Sequence, residues 1–187
     1  MLCFMSAVPM VMTVIGRDRP GLVEQLAALV AKSGGNWLES RMCRLGGEFA
    51  GILRVEIPAN RREELEVTLK EHKGFAIVVK PDQGEEPPPN RRVILNVTGQ
   101  DRPGIVRELA GALAKKEASI EELDSRRESA PMSGEAIFRL RCVANAPETC
   151  SMKELREELE KAAADLMVDL ELDVHEPAKS DVSCDGA

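Results

Sequence analysis

The chain has 187 residues, a formal net charge of −7 and 30% charged residues, which describes an ordinary soluble acidic protein of one or two small domains. With four Phe, one Trp and no Tyr, it offers neither the basic face that a nucleic-acid backbone needs nor the aromatic platform on which single strands stack. Five cysteines (Cys3, Cys43, Cys142, Cys150, Cys184) give an odd count with no C-x-x-C pair, so reduced thiols in a cytoplasmic protein are expected rather than a disulfide framework or a zinc site.

Taken in order, residues 1 to 8 read as a loose extension. Met1 to Gly16 carries no charge, but it lacks the basic leader of a signal peptide, and its second half is needed as a strand. No run is long and apolar enough to cross a membrane. Met10 to Ile15 reads as a buried strand, followed by a glycine-bearing turn and a helix from Pro20 to about Lys32, which Ser33-Gly34-Gly35-Asn36 ends. Trp37 to Leu45 reads as a second strand and Gly46-Gly47 as a hairpin turn. Glu48 to Ile57 is a third strand, with Phe49, Leu53, Val55 and Ile57 on one face and Glu48, Arg54 and Glu56 on the other. Asn60-Arg61-Arg62-Glu63 predicts a capped helix start; Leu65 and Leu69 form the buried side, and Gly74 the end. His72 reads as a surface residue near that end rather than a catalytic group. Phe75 to Lys80 is a fourth strand.

The order then repeats. Arg92 to Thr98 is a strand, Pro103 to about Lys116 a helix, Ile120 to about Arg127 a strand, and Glu135 to Val143 a strand in which Phe138, Leu140 and Cys142 alternate with Arg139 and Arg141. In the second of these strands Leu123-Asp124-Ser125-Arg126 echoes Leu38-Glu39-Ser40-Arg41. Ser151-Met152-Lys153-Glu154 is a second capping box, and Met167 to Val174 the last strand. The proline-rich stretch 81–91 separates the copies as a stiff spacer, and 175–187 is a polar, patternless tail expected to be disordered. The domains are thus 1–80 and 92–174, each β-α-β-β-α-β. This is an α+β, ferredoxin-like plan with helices on one face of an antiparallel sheet. The other sheet face must be wet or covered by a partner.

The repeat is sharpest at one turn. Gly16-Arg17-Asp18-Arg19-Pro20-Gly21 returns as Gly99-Gln100-Asp101-Arg102-Pro103-Gly104, an offset of 83 positions. In this pattern the first glycine is expected to take backbone angles closed to other residues. Proline suits the first helical position, and the aspartate suits the unpaired N–H groups and positive dipole of the helix start. The second glycine lets another backbone or a ligand come close. All of these residues also make a good strand-to-helix turn with no ligand at all.

That turn, inside this element order, resembles the ACT domain, a small regulatory module that binds amino acids and other small ligands. Two such modules in tandem resemble the glycine cleavage system transcriptional repressor family, over roughly residues 10–80 and 91–174. The resemblance implies a ligand lodged where such a turn faces another module. The positions carried over are Gly16, Asp18, Pro20 and Gly21, then Gly99, Asp101, Pro103 and Gly104; Asn36 and Ser119, near the start of each second strand, are expected to add hydrogen bonds. Helix N–H groups can hold a ligand carboxylate. Asp18 and Asp101 have two readings: they receive an α-ammonium group, or they are used up as helix caps. Arg17 and Gln100 differ, so the two sites need not share a ligand.

The implied function is a non-enzymatic sensor of a small ligand, an amino acid, acting on a partner protein in amino-acid (glycine) metabolism or its transcriptional control. The alternative is a ligand-free interaction and oligomerisation module. Self-association as a homodimer is expected, with no cofactor, no membrane and no direct contact to nucleic acid. The repressor family acts through a DNA-binding partner, and this sequence has no helix-turn-helix or basic patch of its own. No nucleophile–base pairing, phosphate loop or metal cluster argues for an enzyme. The glutamate-rich stretches Glu63-Glu64 and Glu154 to Glu160 read as solvated helix faces.

Overall fold

The structure is a computed structural model that describes residues 6–72, 74–84, 90–130 and 134–175. The chain divides into two compact units, Met1–Glu85 and Glu86–Ala187. The first contains β1 (Ala7–Arg17), α1 (Leu22–Lys32), β2 (Asn36–Leu45), β3 (Glu48–Pro58), α2 (Arg62–Glu71) and β4 (Ala76–Pro81). The second contains β5 (Asn90–Gln100), α3 (Ile105–Lys115), β6 (Ser119–Ser129), β7 (Ala136–Pro147), α4 (Met152–Leu166) and β8 (Val168–His175). Each is a four-stranded antiparallel sheet, ordered β2-β3-β1-β4 in one and β6-β7-β5-β8 in the other. This is the ferredoxin-like α+β plan, made twice.

Each sheet has one core face. On β1, Met10, Met12 and Val14 are fully buried, opposite Val55, Leu53 and Gly51 of β3. The helices close over that face with stripes at helical spacing: Leu22, Leu26 and Val30 on α1, Leu65 and Leu69 on α2. The second unit repeats the arrangement with Val93, Leu95 and Val97 on β5, Ile105, Leu109 and Leu113 on α3, and Leu155, Leu159 and Ala163 on α4. The apolar run Met10–Ile15 is therefore not buried on both sides. Its alternate residues Thr13 and Ile15 are exposed, since all the helices pack on one face and a strand's side chains alternate.

Several expectations shift at the element ends. β1 starts at Ala7 because Ala7 and Val8 pair with Pro58 and Ile57, so the end of the expected loose extension is strand. Pro81 and His175 are likewise strand residues, paired with Met10 and Arg92. The expected linker and tail otherwise fall largely on 85–89 and 176–187, outside the described residues. The Asn60 capping box does not form: Ala59–Arg61 is a short 3-10 turn, and α2 starts from Arg61 with no side-chain cap. The box at Ser151 does form, its hydroxyl accepting from Glu154 N at 3.4 Å. α2 ends at Glu71 rather than Gly74, and His72 is half-buried rather than free at the surface. Its ring stacks on Phe75 at 4.1 Å, and its Nδ1 accepts a hydrogen bond from Gly74 N at 3.0 Å.

The echo between Leu38–Arg41 and Leu123–Arg126 is also not the structural equivalence. Each edge strand carries a bulge at the same place, between Trp37 and Glu39 and between Ile120 and Glu122. Ser40 pairs with Leu53, and Leu123 with its counterpart Cys142, which keeps β2 and β6 at the offset of 83. Six extra residues of the second unit lie in its β6–β7 hairpin, where insertion costs little, and four more lie between β7 and β8, where α4 is longer than α2.

Candidate functional site

The two turns are built alike, although not as their sequence suggests. Helices α1 and α3 begin at Leu22 and Ile105, so Pro20 and Pro103 precede the cap rather than opening the helix. The capping positions are Gly21 and Gly104, with φ of 83° and 102°. Backbone in this region favours glycine. The first glycines do the other job. A Cβ on Gly16 would stand 2.9 Å from the Gly74 carbonyl oxygen, and one on Gly99 would stand 3.0 Å from Val168 Cα. The roles expected of the two glycines are exchanged: the first permits close approach of the neighbouring strand, and the second supplies the left-handed angle.

The aspartates do not cap the helices. Among the described residues no side chain accepts from the first turn of α1 or α3, so the backbone N–H groups that open those helices are left to solvent or a ligand. Instead Asp18 Oδ2 pairs with Arg44 Nε at 2.6 Å, and Asp101 Oδ2 pairs with Arg127 Nε at 2.9 Å. Their backbones are held as well: Asp18 N donates to Gly47 O, and Asp101 N to Ala136 O, both at 2.9 Å. Each aspartate is thus pinned to a hairpin beside a helix start.

Arg44 and Arg127 are the residues that motif reading missed. They are themselves 83 positions apart, so extending the turn's offset along the chain would have found them. A second arginine in each turn bends elsewhere. Arg19 donates to Gln25 Oε1 at 2.8 Å, while Arg102 donates to Gln100 Oε1 at 3.1 Å and lies 3.8 Å from Met167 Sδ. The difference between Arg17 and Gln100 therefore changes what the neighbouring arginine holds.

Asn36 and Ser119 do not join these turns within their own units. Asn36 pairs with Glu56, which faces Pro9, whereas Gly16 lies at the opposite end of β1. Ser119 pairs with Asn145, which faces Arg92, while Gly99 ends β5. Seven residues of strand separate the two ends, about 23 Å. Concave surface is found elsewhere too. A depression of about 740 Å³ opens on the exposed face of the second sheet, lined by Asn96, Thr98, Arg139, Arg141, Asp169 and Glu171 among others. Its counterpart on the first sheet is about 250 Å³.

A strand-to-helix turn of this kind, made twice in this topology, defines a tandem ferredoxin-like module, and the ACT domain model matches the chain at residues 9–79 and again at 91–173. The chain belongs to the ACT domain family. It is related to the glycine cleavage system transcriptional repressor of Escherichia coli strain K12, with 26% identity over 162 residues, 84% of this chain and 85% of that protein. The repressor of Shigella flexneri matches to the same extent. Among solved structures, an unknown protein from Galdieria sulphuraria superposes with a TM-score of 0.79 at 30% identity, covering 92% of this chain and all of that one. Among the described residues no helix is long and apolar enough to cross a membrane.

Proposed function

We propose that the turns at Gly16–Gly21 and Gly99–Gly104 bind a small zwitterionic ligand, an amino acid, and that the protein is a non-enzymatic regulator acting on a partner protein. The observation that carries this reading is the pairing, in both units, of an uncapped helix start with an aspartate fixed beside it. Helix N–H groups and the positive end of the dipole suit a carboxylate. An aspartate carboxylate can accept from more than one donor, so beside its arginine it also suits an α-ammonium group. Arg44 and Arg127 orient that carboxylate, so they belong to the proposed site with Asp18, Gly21, Asp101 and Gly104. Asn36 and Ser119 do not, on the geometry of a single unit. Kinship with a glycine cleavage repressor supports glycine and other small amino acids as first candidates, and a regulated protein in amino-acid metabolism or its transcriptional control as the partner. Binding regulates only through a difference in affinity between two arrangements of the protein.

The test is thermal denaturation of the full chain against each of the twenty amino acids. At a concentration of 100 times its dissociation constant, a ligand stabilises the fold by about 2.7 kcal/mol. One amino acid is expected to raise the melting temperature, with the shift lost in Asp18→Ala or in Asp101→Ala, and reduced in the matching Arg44→Ala or Arg127→Ala. A flat screen overturns this reading in favour of a ligand-free interaction module, in which the Asp–Arg pairs serve only to tie each turn to its hairpin.

A further inference from the structure

The open face of the second sheet carries its charges in stripes. Arg139 and Arg141 stand on β7, Asp169 and Glu171 on β8, and only Thr98 and Asn96 of β5 lie between them. Register places Arg139, Thr98 and Asp169 in one row, and Arg141, Asn96 and Glu171 in the next. Strands lie about 4.8 Å apart, so the backbone positions of cation and anion in a row are about 10 Å apart. The short side chains between them floor the depression of about 740 Å³.

The arginines also reach sideways to β6. Arg139 Nε lies 3.0 Å from Glu128 Oε2 and Arg141 Nη1 lies 3.9 Å from Glu122 Oε2, yet the side chains remain 49% and 52% exposed. A guanidinium has five N–H donors, so one carboxylate neighbour leaves capacity for another. Asp169 and Glu171 are exposed and take no ion pair among the described residues.

We propose that this face docks against the same face of a second copy of the chain. The pattern is its own complement. A two-fold axis running along β5, between stacked sheets, lays β7 of one copy over β8 of the other with rows preserved. Arg139 then meets Asp169 of the partner subunit and Arg141 meets Glu171 of the partner subunit; symmetry repeats both pairs. Sheets stack about 10 Å apart, a gap that an arginine and a carboxylate side chain bridge together. The open face of the first sheet offers no such match, since Ile15, Ile52 and Val78 stand exposed along it. Ion pairs that must give up water contribute little net free energy, so the association is weak, specific in register and sensitive to salt.

Sedimentation equilibrium of the full chain tests this. A dimer is expected at low salt, with the dissociation constant rising roughly tenfold or more in high salt. Arg139→Glu with Arg141→Glu makes both stripes acidic, and Asp169→Arg with Glu171→Arg makes both basic. Each variant alone is expected to be a monomer, and an equimolar mixture is expected to recover the dimer, because the cross-pairing restores every opposite-charge contact. The milder Arg139→Gln with Arg141→Gln is expected to weaken the dimer without repulsion. Circular dichroism with an unchanged melt establishes that each variant is folded. A wild-type monomer at every accessible concentration, a dimer untouched by both reversals, or reversed variants that stay monomeric on mixing each overturns the proposal. If a small zwitterion occupies the depression instead, the wild type is monomeric and the ligand raises its melting temperature.

Discussion

The two units share a core and a turn but not an outer sheet face. At the core, Met10, Met12 and Val14 correspond to Val93, Leu95 and Val97, and the helix stripe Leu22, Leu26, Val30 to Ile105, Leu109, Leu113, all at one offset. On the open face, Val11, Thr13 and Ile15 of β1 correspond to Ile94, Asn96 and Thr98 of β5, while Ile52 and Val78 give way to Arg141 and Glu171. The helices explain the first fact: a core position must fill a fixed volume against them, so type and spacing are held. Nothing packs from within the unit on the second face, so its chemistry is left to whatever each unit meets outside itself.

The largest effects come from breaking the shared core one unit at a time. Leu26→Ala and Leu109→Ala each empty a buried site, at a cost of about 2–5 kcal/mol. Trp37 is the chain's one tryptophan and packs against the first core, so its fluorescence reports that unit. In a urea titration Leu26→Ala is expected to lower the tryptophan-detected midpoint, whereas Leu109→Ala leaves it in place and destabilises only the part of the circular-dichroism signal from the second unit. A common shift for both variants would show that the units unfold as one.

The glycine pair sharpens the comparison at the turn. Gly21→Ala and Gly104→Ala place a side chain on left-handed backbone, costing about 1–2 kcal/mol each, although space for a Cβ exists at both positions. Denaturant midpoints check this, and Gly104→Asn is expected to cost less than Gly104→Ala because asparagine tolerates such angles. Equal costs for both substitutions at Gly104 would show that space, not angle, limits the position.

Element order, the single core face and the helix stripes could be read from the sequence because each leaves a period of about two or 3.6 in the positions of Leu, Val and Ile. The repeated turn was legible as a turn. Its division of labour was not, since a glycine that avoids a clash and a glycine with positive φ are the same letter; only the carbonyl of Gly74 and the Cα of Val168, brought in by a distant strand, tell them apart. The same holds for Asp18. A carboxylate just before a helix reads as a cap, but Arg44 lies 26 positions on and becomes its neighbour only when the β2–β3 hairpin closes. Asn36 stands away from the turn of its own unit for the converse reason, as the start of β2 lies at the far end of the sheet.

The smallest expected effect separates the units at the ends of their first helices. Lys116, which caps α3, holds Glu154 at the start of α4 at 2.6 Å, while its counterpart Ser33, among the described residues, turns its hydroxyl back to the Leu29 carbonyl of its own helix. The ammonium group keeps the Glu154 carboxyl below the usual carboxylate range, through its hydrogen bond first and its charge second. The carboxylate in turn raises Lys116 above the usual lysine value. A carboxyl depressed in the folded state contributes stability above its unfolded value and loses it as pH falls through the depressed one. A raised lysine contributes below its unfolded value and loses the contribution as pH rises through the raised one. The pair therefore acts across the neutral range and fades at both extremes. Glu154→Gln is expected to lower the melting temperature slightly at pH 7 and to match the wild type in strong acid, while Ser33→Ala in the first unit gives no pH-dependent difference. A Glu154→Gln deficit that persists in strong acid would assign the effect to packing at the start of α4 rather than to charge.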